Sequence, residues 1–293
     1  GPGAAPQSRQ PCRQPWLGGG RHKAVGSAGC VGLIGTENLS KVRTRPSPVM
    51  NPRPHRSFLA SLLLTVLTFA GAGVELAQAG EYIIVSGGPA VREWEDLRKP
   101  GEQHDRWWGN FVRSARVRMQ EIKKLAPPGT IITWLVYRDA YLRRAAEDRQ
   151  PLTSFVESVR DTYGVRLVWF RTGSDVINYI NSGMNRRSVK IAGFEYFGHS
   201  NKFCFMFDYS SDVYGVSGSW LHEVDLRRIR ASAFAPGAYC HSWGCHTGES
   251  MSTAWKKATG LPLVGAYGKT DYSNGHLTGW KVQLAPGASW RRR

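Results

Sequence analysis

Two short stretches of this chain carry residue types fit for nucleophilic chemistry. Gly198-His199-Ser200 follows an apolar run that ends at Phe197, and Gly244-Cys245-His246-Thr247-Gly248 follows another that ends at Trp243. A cysteine attacks as its thiolate, and an ordinary thiol with a pKa near ~8.5 is only a few per cent ionised at neutral pH. An imidazole within reach supplies what is missing. It holds the thiolate as an ion pair, or acts as general base and then protonates the leaving group. Cys245 also precedes a segment of helical pattern, with Thr247 or Ser250 near its cap, so backbone N–H groups and the helix dipole are expected to favour the anion. Glu249 in that first turn would oppose this slightly. Gly198 and Gly244 let a substrate backbone approach, and their amides are candidate oxyanion donors.

Six apolar runs of strand length must position these groups: Tyr82 to Val85, Ile131 to Tyr137, Val165 to Phe170, Val189 to Phe197, Ala238 to Trp243 and Leu263 to Ala266. Most are continuous rather than alternating, as strands covered on both faces are. Between them lie helical patterns over Trp107 to Leu125, Leu152 to Tyr163, Asp175 to Ile180, Leu221 to Ile229 and Ser250 to Ala258, with Pro127-Pro128-Gly129, Gly164, Gly183, Pro236-Gly237 and Gly260 at the joins. Repeated strand-helix-strand units predict an α/β fold, a three-layer sandwich around a mostly parallel sheet. Chemistry in such sheets gathers at the carboxyl ends of the strands. If the fourth and fifth strands are neighbours, His199 and Cys245 share one crevice.

Phe197-Gly198-His199-Ser200 after one buried strand and Trp243-Gly244-Cys245-His246-Thr247-Gly248 after the next resemble the caspase-like fold of the clan CD cysteine peptidases, including gingipain-like and CHAT-type members. The 46 residues from His199 to Cys245 are close to the roughly 50 of caspases. The resemblance covers about Ile131 to Ala266. It implies a thiol hydrolase acting on peptide or amide bonds of a peptide or protein substrate, with Cys245 as nucleophile, His199 as base and no cofactor. The caspase Gln-Ala-Cys-x-Gly signature is absent, and caspase-like domains also include members that only bind, so a catalytically inactive binding domain is the alternative.

A rival from another class uses Cys240-His241-Ser242-Trp243-Gly244-Cys245-His246, with two thiols and two imidazoles in seven residues. It could form a haem or metal site through Cys240, Cys245 and His246. Its cysteines are five positions apart, against three in C-x-x-C-H, and alternating strand residues face opposite ways. Cys204, inside Phe203 to Phe207, and Cys240 read as core residues, although a bridge from Cys240 to Cys204 or Cys245 is open. Trp220 to Leu226 could offer His199 an acid but reads better as an amphipathic helix. Gly268-Lys269-Thr270-Asp271-Tyr272 follows the last strand on the same edge, so its polar side chains are candidates to line the crevice.

The chain has 293 residues, 41% hydrophobic, and a formal charge of +17. Five cysteines are too few for a disulfide scaffold, so burial must hold the fold. Residues 1–49 carry seven Lys and Arg, one acid, nine Gly and six Pro, which reads as a disordered basic extension. Residues 50–79 read as a signal peptide: a basic start, the apolar run Phe58 to Ala70, and Ala77-Gln78-Ala79. The expected mature protein is a single domain, 80–293, exported to a periplasm or the extracellular space, with no stable membrane span. The remaining positive charge has no stripe of interleaved aromatics, which argues for a solvated basic surface with basic tails and against nucleic acid.

Overall fold

The computed structural model describes residues 79–99, 103, 105–209 and 218–293; the basic-extension reading, and the signal-peptide reading except for Ala79, fall outside them. In chain order the elements are β1 (Glu81–Ser86), α1 (Arg92–Asp96), α2 (Asn110–Leu125), β2 (Ile131–Tyr137), α3 (Arg138–Asp148), α4 (Leu152–Tyr163), β3 (Arg166–Phe170), α5 (Gly173–Ser182), β4 (Ile191–Phe197), β5 (His199–Asn201), β6 (Cys204–Asp208), β7 (Ser219–His222), β8 (Phe234–Ser242), α6 (Ser250–Thr259), β9 (Leu263–Tyr267), β10 (Thr270–Asp271), β11 (Gln283–Leu284) and β12 (Ser289–Arg292).

The continuous apolar runs form the middle of a seven-stranded sheet in the order β12-β9-β8-β4-β1-β2-β3. All neighbours in it are parallel except β12, which runs antiparallel to β9. The fold is therefore α/β with a mostly parallel mixed sheet. Strands β1, β2 and β4 are buried on both faces because helices cover both. On one face Val176, Ile177 and Ile180 of α5 and Met251 and Trp255 of α6 pack onto Ile83, Val85 and Phe194. On the other, Phe111, Ala115, Met119 and Ile122 of α2 and Val156 of α4 pack onto Ile84, Trp134 and Val136. The spacing of the α2 residues puts them on one side of the helix, which is why that segment folds there. Among the described residues no helix is long and apolar enough to cross a membrane.

Four expectations change. Leu221 to Ile229 is not an α-helix: Trp220 to His222 pair with β6, and only Glu223–Arg228 turn, as a 3-10 helix capped by the His222 ring accepting from the Val224 N–H. Cross-strand pairing wins over the helical pattern there. The fifth strand begins at Phe234 and runs through Pro236-Gly237, where its register against β4 slips between Ile191 and Gly193; a proline is tolerated at such an irregularity. Arg291 and Arg292 belong to β12 rather than to a solvated tail, and Arg291 lies 3.7 Å over the Tyr267 ring. Finally, α3 and the small antiparallel sheet β5-β6-β7 are additional elements. That sheet lies directly on the site.

Candidate active site

Strands β4 and β8 are adjacent, with Glu195 level with His241 and Tyr196 level with Ser242. Their carboxyl ends therefore emerge side by side, and the chain places His199 beyond one and Cys245 beyond the other. Trp243 and Phe197 stack at 5.7 Å just before the two ends part. Beneath them Glu195 is fully buried, accepting from Arg118 Nε at 2.8 and 3.0 Å and from Trp243 Nε1 at 2.8 Å. Burial raises its carboxyl pKa despite the opposing charge of Arg118. The Glu195–Trp243 bond spans the two strands and fixes their relative height.

The glycines around Cys245 are explained by packing. A Cβ on Gly244 would lie 2.1 Å from the Ser200 Oγ, so only glycine lets β5 lie flat against this loop. The same hydroxyl donates to the Cys245 carbonyl at 2.7 Å. On the other side Gly248 lies flush with Gly265 of β9, where an added Cβ would meet backbone at 2.4 Å. Between them His246 adopts a left-handed φ of 60°, and its Nδ1 pairs with Glu249 at 2.7 Å. The Cys245 loop is thus wedged between β5 and β9. Helix α6 begins only at Ser250, with Glu249 as its cap and no side-chain cap bond, so the expected dipole support is not adjacent to the sulfur. The sulfur instead receives the Thr270 N–H at 3.3 Å and lies 3.4 Å from the Thr270 hydroxyl. This places Thr270, in the stretch flagged after the last strand, at the thiol itself.

His199 is held by a residue that sequence reading did not select. Its Nε2 lies 2.5 Å from Asp105 Oδ2, which also accepts the Ala90 N–H at 2.7 Å. Asp105 is 1% exposed. Burial pushes its carboxyl up, but the charge and hydrogen bond of His199 and the Ala90 amide outweigh this, so the net displacement is downward. The Asp105 N–H in turn rests on Glu95 Oε2 at 2.8 Å. Glu95 is displaced upward, first by burial and then by the Asp105 charge. The ring of His199 is stacked on Tyr209 at 4.8 Å and edge-on to Phe111 at 5.0 Å. Arg144 of α3 clamps the Asp105 loop at both ends, donating to the carbonyls of Ala90 at 2.9 Å and Arg106 at 2.8 Å.

Among the described residues no hydrogen bond joins the His199 ring to the Cys245 sulfur, since the one is on Asp105 and the other on Thr270. They are tied through common neighbours. The Tyr272 hydroxyl donates to the Trp243 carbonyl at 3.0 Å, while Phe111 is edge-on to both Tyr272 and His199. Contacts of this kind in substrate-free sites commonly tighten only when the substrate is bound. The Gly244 N–H lies 3.3 Å from the Ser242 Oγ. An oxyanion at Gly244 would have to displace that hydroxyl.

Cys240 and Cys245 are both free thiols, so no disulfide removes the proposed nucleophile. Cys240 is 2% exposed in the core beside α6, and burial pushes its thiol up to about 12. The haem or metal arrangement finds no support: Cys240 is in the core, His246 is on Glu249, and among the described residues no three His, Cys, Asp or Glu side chains gather into a ligand set. His241 belongs to neither site. It stacks on Trp243 at 3.7 Å, its Nδ1 is 2.6 Å from the Tyr239 hydroxyl, and burial, aided by Arg118, lowers its pKa to about 3. Compared with known proteins, the chain matches no family model, no curated protein and no solved structure.

Proposed function

We propose that this chain is a caspase-like thiol hydrolase that cleaves peptide or amide bonds in an exported setting, with Cys245 as nucleophile, His199 as general acid and base, and Asp105 as the residue that orients and charges His199. The observation that carries the reading is the 2.5 Å pair of His199 with the buried Asp105, on a strand whose next residue is bonded to the loop of a free thiol. Because Nε2 is committed to Asp105, Nδ1 is the nitrogen left to exchange a proton with sulfur. The carboxylate stabilises the imidazolium that forms on accepting it.

In the first step the thiol proton passes to His199 and the thiolate adds to the scissile carbonyl carbon. As the C–N bond breaks, the same proton goes to the departing amine and an acyl-thioester remains. Water, deprotonated by the now neutral His199, then releases the carboxylic acid and restores the thiol. The Thr270 N–H and hydroxyl supply donors at the sulfur, which support the anion before attack.

The test is the pH profile of iodoacetamide labelling, read by peptide mass spectrometry. Selective modification of Cys245 below pH 7, lost in His199→Ala and with Cys240 silent throughout, is the expected result. Equal and slow modification of Cys245 and Cys240, or a profile unchanged by His199→Ala, rejects the reading. Retained selectivity without turnover of any peptide library would instead favour a binding domain.

A further inference from the structure

Between α2 and α4 lies a cavity of about 460 Å³ with an aromatic wall and an uncompensated charge. Trp107, Trp108 and Phe155 line it. Trp108 and Phe155 are stacked at 5.9 Å with 23° between their planes, and Phe155 is 43% exposed, so the wall is reachable from solvent. Arg113 and Arg116, successive on the same side of α2, reach in from the other direction.

These two arginines differ from the other inward-facing guanidiniums of the fold. Arg118 rests on Glu195, Arg144 on Asp148 and Arg186 on Glu81. Arg113 has ring faces instead, 5.5 Å from Trp107 and 5.4 Å from Trp280. Arg116 has a buried Nε with no hydrogen-bond partner. Among the described residues neither forms an ion pair. Burial lowers the Arg113 pKa, and the like charge of Arg116 adds to this. Both side chains are half-buried, and a buried donor without an acceptor, as the Arg116 Nε is, is costly; folds keep such groups where something else completes them.

We propose that this cavity binds a small flat aromatic carboxylate, its rings against Trp107, Trp108 and Phe155 and its oxyanion on Arg113 and Arg116. The volume falls in the range of about 300 to 1,000 Å³ typical of small-molecule sites. The guanidinium fork matches a carboxylate in two-point fashion, and the indole faces take a planar ring in offset stacking. Since the cavity lies along α2 from Phe111, which abuts His199, the ligand would be a neighbour of the thiol site, but its binding does not depend on that chemistry.

The experiment is isothermal titration of the full chain with 2-naphthoate, with neutral 2-naphthylmethanol and with acetate. Saturable 1:1 binding of naphthoate, at least about tenfold weaker binding of the alcohol and of acetate, and about a tenfold loss in R116Q support the site; these ratios are those of one charge-assisted hydrogen bond. R113Q is the second variant, and the naphthoate-to-alcohol comparison on the unaltered chain decides alone should either variant fail to fold. Absence of saturable naphthoate binding at millimolar concentration, equal affinity for the alcohol, or undiminished affinity in folded R116Q overturns the proposal. Because the readout is binding, it is independent of whether Cys245 labels.

Discussion

Replacing Asp105 by asparagine separates charge from geometry at the proposed site. Asp105 Oδ2 serves both the Ala90 N–H and His199 Nε2, while Oδ1 is buried without a partner. An asparagine keeps both bonds only with its carbonyl oxygen at the Oδ2 position, so the ring orientation and tautomer survive and the amide nitrogen takes the unpartnered place. What is lost is the difference between a charge-assisted and a neutral hydrogen bond. These are worth about 1.5 to 3 and 0.5 to 1.5 kcal/mol respectively, which leaves about 1 to 2 kcal/mol. Asp105 is 1% exposed, so solvent screening removes little of it. The thiolate–imidazolium pair should be depopulated by about 5- to 30-fold, and the second-order rate of Cys245 alkylation at pH 6 should fall by that factor. At pH 9, where an ordinary thiol is largely ionised without a base, D105N should approach the parent rate. A D105N protein that alkylates at the parent rate at pH 6 refutes the assigned role of the carboxylate; an equal loss at both pH values shows a structural role only. Stability carries the same signature. The folded Asp105 pKa is displaced downward, so its contribution is present above the unfolded value of 3.8 and disappears as pH falls through the folded one. D105N should lack that acid-side loss.

His241→Phe keeps a ring on Trp243 but removes a group that stays neutral in the fold down to about pH 3, whereas the unfolded chain binds its proton below 6.5. At ~1.36 kcal/mol per pH unit, H241F should gain about 3 kcal/mol on the parent between pH 6.5 and 4; parallel urea-unfolding curves at the two pH values contradict this. Gly244→Ala drives a methyl group to within 2.1 Å of the Ser200 hydroxyl, so it should destabilise by about 1 to 3 kcal/mol, as overpacking does. It should also slow Cys245 alkylation by lifting β5. An unshifted thermal midpoint would show that β5 yields freely.

Strands were legible because burial on both faces left uninterrupted apolar runs. Ile131–Tyr137 and the helix Leu152–Tyr163 occur with the boundaries that the pattern predicts, and the other main strands shift only at their ends. Segments whose structure depends on a distant partner were not. Trp220 to His222 looked helical because spacing alone cannot announce the partnership with β6, and β12 exists only because β9 offers it an edge. His199 and Cys245 stood out because each ends a strand in a glycine-flanked turn. Asp105 did not, since the stretch 87–109 holds five acidic residues; nothing in their spacing says which one folds back. Only the adjacency of β1 and β4 brings that loop beneath His199.

The Arg144 clamp gives helix α3 an influence out of proportion to its place on the periphery. By gripping the carbonyls of Ala90 and Arg106, it fastens the connection after β1 on either side of Asp105, and the placement of that acid then depends on α3. A lesion in α3 would then yield a protein whose sulfur is intact and correctly seated yet whose imidazole has nothing to lean on. Loss of reactivity would trace to a helix that never touches the reacting atoms.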